Sequence, residues 1–328
     1  MDDIKTTQQT FSKIGWIYTI FSAVITFIQL IVFEIFLDPN NLSLEMYMLL
    51  NTGMMYVLGM IIIPVGFHKV QIPICVPEKK SMTLKAFFKA MIMSYSLLFV
   101  TNLIGTIWIG IIEILKGSPI INPVEELALN MDIRYLIVFT VIGAPIFEEL
   151  FFRKFIVDRT LQYGECVSIA ICGLMFGLFH GNLSQFPYAF ALGSFFAYIY
   201  VRTGKIGYTM IMHAIINLVG SVVGSLVIKN IDLSVYDNIL YSSTIEDIFS
   251  LLTPDNLKGM LLVLTYELVI MSFVVIGIIL WILEFKKLFF KPTENAIPKG
   301  RCFETSILNP GMLVYIVFWF VMIIIASV

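Results

Sequence analysis

The chain has 328 residues, of which 59% are hydrophobic, 14% aromatic and 13% charged, with a formal net charge of −2 and a mean hydropathy of +0.91. Soluble domains carry about 25% charged residues, so this balance excludes a disordered chain, a small secreted disulfide scaffold and an ordinary cytosolic enzyme. No basic excess marks a nucleic-acid surface, and Cys75, Cys166, Cys172 and Cys302 lack the CxxC or Cys/His spacing of a thiolate metal site.

Crossing the hydrocarbon core takes about 20 mainly apolar residues. In chain order, such runs fall at 15–36, 47–67, 86–115, 134–157, 166–183, 186–201, 206–228, 260–283 and 310–328. They predict an all-α, polytopic transmembrane helical bundle of about 8–9 spans. The polar start MDDIKTTQQTFSK runs into a full-length span without a small-residue cleavage pattern, so no cleavable leader is expected. Three organisational parts are expected: 1–133 with three spans, a central 134–228, and 229–328 with an extramembrane loop and the C-terminal helices. With the N-terminus cytoplasmic, 16 of the 21 lysines and arginines fall on the cytoplasmic side or its edges against four, Lys116, Arg134, Lys229 and Lys258, on the other, Arg153 being set aside as intramembrane. A multi-pass protein of the cell membrane, N-terminus inside, is the expected disposition.

An ionisable residue inside a span costs about 2.5–3.5 kcal/mol on insertion scales, which makes each one a functional candidate. The fourth span, RYLIVFTVIGAPIFEELFFRKFIV, holds Glu148, Glu149 and Arg153. Glu149 and Arg153 are four apart, on one helix face, and can pair. Glu148 is turned about 100° away and is left to meet another element. Pro145 cannot donate to the carbonyl of Val141 and should disturb the helix just before the acids. Of three histidines, His68 closes the second span and reads as interfacial, while His180 and His213 lie within spans. Phe176 stands one turn before His180, and Asn217 one turn after His213. Taken singly, these groups read as interhelical hydrogen-bonding or packing residues; together, on three spans, they read as a site. Among other acids, Glu34, Glu113 and Glu284 sit near span ends, Glu125–Glu126 reads as a solvated loop, and Glu267 lies well inside the eighth span, where a partner or an ion role is left open.

At these residues the chain resembles the CAAX prenyl protease 2 family, also called the CPBP or Abi family of intramembrane peptidases. The family pattern is EExxxR, FxxxH and HxxxN. It reads here as Glu148-Glu149-Leu150-Phe151-Phe152-Arg153, Phe176-Gly177-Leu178-Phe179-His180 and His213-Ala214-Ile215-Ile216-Asn217. The resemblance covers about 134–228, which it identifies as the peptidase core. It implies that Glu148 and His180 activate a water, that His213 and Asn217 stabilise the oxyanion, and that Glu149 and Arg153 support the site. It also implies a peptide or prenylated-protein substrate met in the lipid bilayer, with no nucleic-acid partner.

Two chemistries fit these groups. Glu148, His180 and His213 match a His₂Glu zinc set with an open water position. HExxH is absent, however, and the set has no spare ligand, so the metal-free version, with Glu148 as base, is preferred. Serine GxSxG and aspartate GxGD motifs are also absent, and Tyr236-Asp237 lies in a polar loop. The alternatives are a non-enzymatic immunity or scaffold protein of the membrane and an ion-coupled transporter; against the latter, no inverted repeat is visible. One tension concerns depth. Counted from Arg159 at 1.5 Å per residue, Glu148 lies about 16 Å deep and His213 near 10 Å, whereas His180 reaches about 21 Å if its span starts at Cys166.

Overall fold

A computed structural model describes residues 2–33, 42–120, 126, 129–229 and 253–327, with the side chains of residues 2 and 3 excepted. Glu34, Glu125, Tyr236-Asp237 and most of the 229–258 loop lie outside the described residues. Among those described, every regular element is helical.

The nine predicted spans all coincide with helices: α1 Asp2–Ile31, α2 Leu44–Val70, α3 Leu84–Lys116, α4 Ile133–Tyr163, α5 Glu165–Phe179, α6 Phe186–Thr203, α7 Ile206–Lys229, α8 Pro254–Glu284 and, after the short α9 (Cys302–Ser306), α10 Pro310–Ser327. Seven are long and apolar enough to cross a membrane. The other two are α5, which has only 15 residues, and α6, whose apolar surface is interrupted by tyrosines and Arg202. The protein is an integral, multi-pass membrane protein. The first helix begins at Asp2 rather than near residue 15, because the polar start continues the helix instead of preceding it.

Local chemistry sets the boundaries. Thr83 and Thr253 accept from the backbone N–H groups of Ala86 and Asn256 as N-caps of α3 and α8. Gly204, with φ 60°, closes α6. The chain turns from α4 into α5 on Gly164, whose φ of 126° an L-side chain rarely adopts. Between α2 and α3, residues 71–83 form a non-helical strap beneath the bundle. The Cys75 N–H donates to the Asp158 carbonyl at 2.6 Å and the Lys80 N–H to the Thr203 carbonyl at 2.7 Å. The strap thereby ties together the ends of α4 and α6.

The helix α4 is not a regular α-helix. Its turns widen to π geometry over Ile137–Gly143, tighten over Ala144–Glu148 and widen again over Glu149–Val157. The disturbance expected from Pro145 is present as these two flanking π segments, one directly before the proline. Such segments often mark functional sites.

Helices α4 to α7 form the centre. α1 and α10 pack on one side of it, and α3 and α8 on the other. Helices α5 and α6 approach most closely at glycines. A Cβ on Gly173 would sit 2.9 Å from the Phe190 carbonyl oxygen, and one on Gly193 would sit 2.7 Å from the Phe176 ring. One apolar cluster joins α1, α4, α5 and α10 around Tyr18, Phe151, Phe152 and Tyr315. The outer faces of α3 and α8 expose Leu103, Ile107, Ile111, Leu264 and Ile279. On a soluble protein that surface would promote association; in a bilayer, lipid covers it.

Candidate active site

The α4–α5 hairpin removes the depth tension. α4 continues past Arg159 to Tyr163, so Glu148 stands 15 positions before the turn (163 − 148), and His180 stands 15 positions after its far side (180 − 165). The two arms thus hold equal numbers of residues, and Glu148 and His180 lie within electrostatic reach of one another.

Three helices meet there. From α4, the Glu149–Arg153 pair is completely buried, with Arg153 Nε 3.1 Å from Glu149 Oε2. The Arg153 guanidinium lies over the Phe176 ring at 4.4 Å and near the Phe196 ring at 5.7 Å. These π-faces stand in for acceptors, since its N–H groups have no conventional hydrogen bond. From α7, His213 joins both acids: its Nδ1 is 3.1 Å from Glu149 Oε1, and its Nε2 is 3.9 Å from Glu148 Oε2. The two glutamates differ in access. Glu148 keeps 13% of its side-chain surface exposed, whereas Glu149 keeps none. Only Glu148 can meet a water or a substrate without rearrangement.

From α5, His180 is the residue on which the helix ends. Its Nδ1 lies 2.8 Å from the Phe176 carbonyl. A carbonyl only accepts, so Nδ1 carries the hydrogen and Nε2 presents its lone pair. The Phe176 ring makes edge contacts with both imidazoles, with centroids at 4.8 Å to His180 and 6.1 Å to His213. Phe176 therefore sets the spacing of the two histidines as well as cushioning Arg153.

Asn217, one turn beyond His213, donates from Nδ2 to the Thr140 carbonyl at 2.7 Å. An amide nitrogen has two hydrogens, so one N–H and Oδ1 remain for other partners. Thr140 lies in the first π segment of α4, and its hydroxyl is 2.9 Å from that of Ser221. Asn217 is thus anchored to the same helix that carries the acids.

Reading the sequence had not singled out Thr140 or Phe196, and nothing in their spacing marks them. Tyr56 and Tyr188 are two further additions within electrostatic reach of Glu148. Tyr56 stacks on Phe147 at 4.3 Å, and the Tyr188 hydroxyl accepts from Gln185 Nε2 at 2.7 Å. Glu267 occupies an exposed position on α8. Among the described residues no three His, Cys, Asp or Glu side chains converge closely enough to hold one ion.

No curated protein matches the chain, and no solved structure matches it. A family model described as Rce1-like, type II CAAX prenyl endopeptidase, matches residues 130–219. That segment runs from just before α4 to just past Asn217 and contains all three motifs. Over these residues, 90 of the 328, the chain is similar to the Rce1-like type II CAAX prenyl endopeptidase family.

Proposed function

We propose that the protein is an intramembrane endopeptidase that hydrolyses a peptide bond near the C-terminus of a prenylated or otherwise membrane-held substrate. Glu148 is the base. It takes a proton from a water held against the lone pair of His180 Nε2, and the oxygen attacks the carbonyl carbon of the scissile bond. The carbonyl oxygen becomes the tetrahedral oxyanion, which accepts hydrogen bonds from the free N–H of Asn217 and from Nε2–H of His213, whose ring carries hydrogens on both nitrogens in this step because Nδ1–H is given to Glu149. The proton on Glu148 then passes to the departing amine nitrogen as the C–N bond breaks, and the carboxylate is regenerated. Glu149 and Arg153 hold His213 in place and do not touch the reacting atoms.

The observation that carries this reading is the position of His213 between two carboxylates of unequal access, with His180 brought within electrostatic reach of Glu148 by the hairpin. The family match over 130–219 supports the substrate class. General-base catalysis contributes about 10²–10⁴ in rate, and one oxyanion donor about 10²–10³.

The test is cleavage of a prenylated CAAX peptide by the full chain reconstituted in liposomes. The wild type is expected to release the C-terminal tripeptide, and Glu148→Gln and His180→Ala to abolish release while remaining folded and inserted. Undiminished cleavage by both variants would overturn the assignment. The proposed location is the cell membrane with the N-terminus cytoplasmic, which places the lysine-rich strap and the 285–301 segment on the cytoplasmic face. Accessibility of single-cysteine variants in whole cells tests that orientation.

A further inference from the structure

The Thr140 carbonyl, which holds the Asn217 amide at 2.7 Å, is available for a reason that lies in α4 itself. A carbonyl within a helix is normally taken by the N–H four residues on, or five on in a π turn. At Thr140 both are missing. The Ala144 N–H, four residues on, donates instead to the Phe139 carbonyl, in the five-residue register of the first π segment. The next residue in that register is Pro145, which has no N–H. Thr140 is therefore left with a carbonyl that lacks a backbone donor, in a span where an unpaired carbonyl is costly. Asn217 supplies the missing hydrogen from α7.

Further contacts brace this point. α7 itself widens to π geometry over Leu218–Val223, directly after Asn217. Ser221, within that segment, donates to the Asn217 carbonyl at 2.5 Å, and its Oγ lies 2.9 Å from the Thr140 hydroxyl. From α8, the Tyr266 hydroxyl donates to the Val219 carbonyl at 3.2 Å. The widened segments of α4 and α7 are thus joined twice, once through the Asn217 amide and once through Ser221. On the other side of Pro145, the tighter turn Ala144–Glu148 carries the base. One proline therefore opens the turn that bears Glu148 and frees the acceptor that holds Asn217. The two Nδ2 hydrogens share one planar amide, so fixing the first also fixes the aim of the second.

We propose that Pro145 is a positioning residue for the hydrolysis: by withholding an N–H from the Thr140 carbonyl it reserves that oxygen for Asn217, and so aims the second amide hydrogen at the oxyanion. The inference rests on the reading of Asn217 as an oxyanion donor. Pro145 does not touch the reacting atoms and acts only through Thr140 and Asn217. Pro145→Ala supplies the N–H that the π register expects, and this N–H competes with Asn217 for the Thr140 carbonyl.

The experiment is a double-mutant cycle on the full chain in liposomes, with Pro145→Ala, Asn217→Ala and the double variant cleaving a prenylated CAAX peptide. Misdirecting a donor costs less than deleting it, which is worth about 10²–10³, so Pro145→Ala should lower kcat about 30-fold. KM should stay within about threefold, as for loss of an interaction made only in the transition state. In the Asn217→Ala background, Pro145→Ala should change kcat by less than about threefold, because the two substitutions break one interaction. An equal loss in both backgrounds places the effect of the proline elsewhere, for instance on the Glu148 turn, and overturns the proposal. So does a wild-type kcat in Pro145→Ala when Glu148→Gln is inactive; cleavage by Glu148→Gln would instead overturn the peptidase reading. The anchor is also read without turnover. In protein labelled with ¹⁵N-asparagine, the Asn217 side-chain amide, assigned by its loss in Asn217→Ala, should show one hydrogen shifted downfield by the carbonyl, and Pro145→Ala should abolish that shift. An unchanged Asn217 signal overturns the proposal whatever the activity. If Pro145→Ala fails to fold, Pro145→Val carries the same N–H in a bulkier side chain and decides.

Discussion

Replacing Arg153 with methionine removes the cation from the fully buried Glu149–Arg153 pair while keeping much of its volume. At 3.1 Å and an effective dielectric of 20, the gross attraction is about 5 kcal/mol. Stacking on desolvated Phe176 and Phe196 adds roughly 2 kcal/mol. Much of this sum offsets the cost of bringing two charges out of water, so the net effect is smaller. The variant nevertheless leaves Glu149 buried with His213 as its remaining partner, and breaking a buried pair on one side costs about 3–5 kcal/mol. Unfolding in mixed micelles by titration with a denaturing detergent measures the loss. The double variant Glu149→Gln/Arg153→Met carries no orphaned charge, so it should recover more than half of the lost stability. It should not recover cleavage, because His213 has lost the carboxylate that orients it. Strict additivity of the two single substitutions in stability would refute the claim that the pair acts as one buried unit.

Other expectations follow from neighbouring contacts. Asn217→Ala should lower kcat about 10²-fold with little change in KM, as loss of a transition-state donor does; an equal loss in KM alone would place Asn217 in substrate binding. Gly173→Val should destabilise by about 1–3 kcal/mol through overpacking, since its side chain would meet the Phe190 carbonyl and Ser194; thermal unfolding in detergent checks this. Burial and the nearby Asp158 carboxylate push the Cys75 thiol above its ordinary pKa, so its thiolate fraction at neutral pH falls. Labelling of Cys75 by maleimide should therefore lag that of exposed Cys166 and speed up as pH rises, while buried Cys172 reacts only on unfolding.

The helix positions were legible because hydropathy and length are direct consequences of the bilayer. The 134–157 run, for instance, lies within α4 to within a few residues at each end. What hydropathy does not encode is helical register. The π turns at Ile137–Gly143 and Glu149–Val157 have no residue pattern that separates them from α turns, so only the proline hinted at them. The Glu149–Arg153 pair could be read from i,i+4 spacing, since both partners lie on one helix. The contact of His213 with Glu149 could not, being 64 positions apart and dependent on how α7 crosses α4. The depth mismatch came from ending α4 at the last cation, Arg159, although its ring contact with Phe67 at 4.1 Å shows that this arginine lies against the bundle and does not mark its edge. The strap at 71–83 has no periodicity, and its role as a tie between α4 and α6 exists only in backbone hydrogen bonds.

The α4–α5 hairpin has a mechanical corollary. With Gly164 as fulcrum, catalytic registration depends on residue count, much as the marks on two rulers pinned at one end must agree. Inserting one alanine in either arm would swing everything beyond it by about 100° and lift it by 1.5 Å, carrying Glu148 off the His180 face. Inserting four in one arm would bring the heading back to within about 40° yet leave a step of about 6 Å. Inserting four in both arms would lower neither group relative to its mate, and would instead sink the pair together towards the opposite leaflet. Chain length around this one glycine therefore sets how far into the membrane a substrate has to reach.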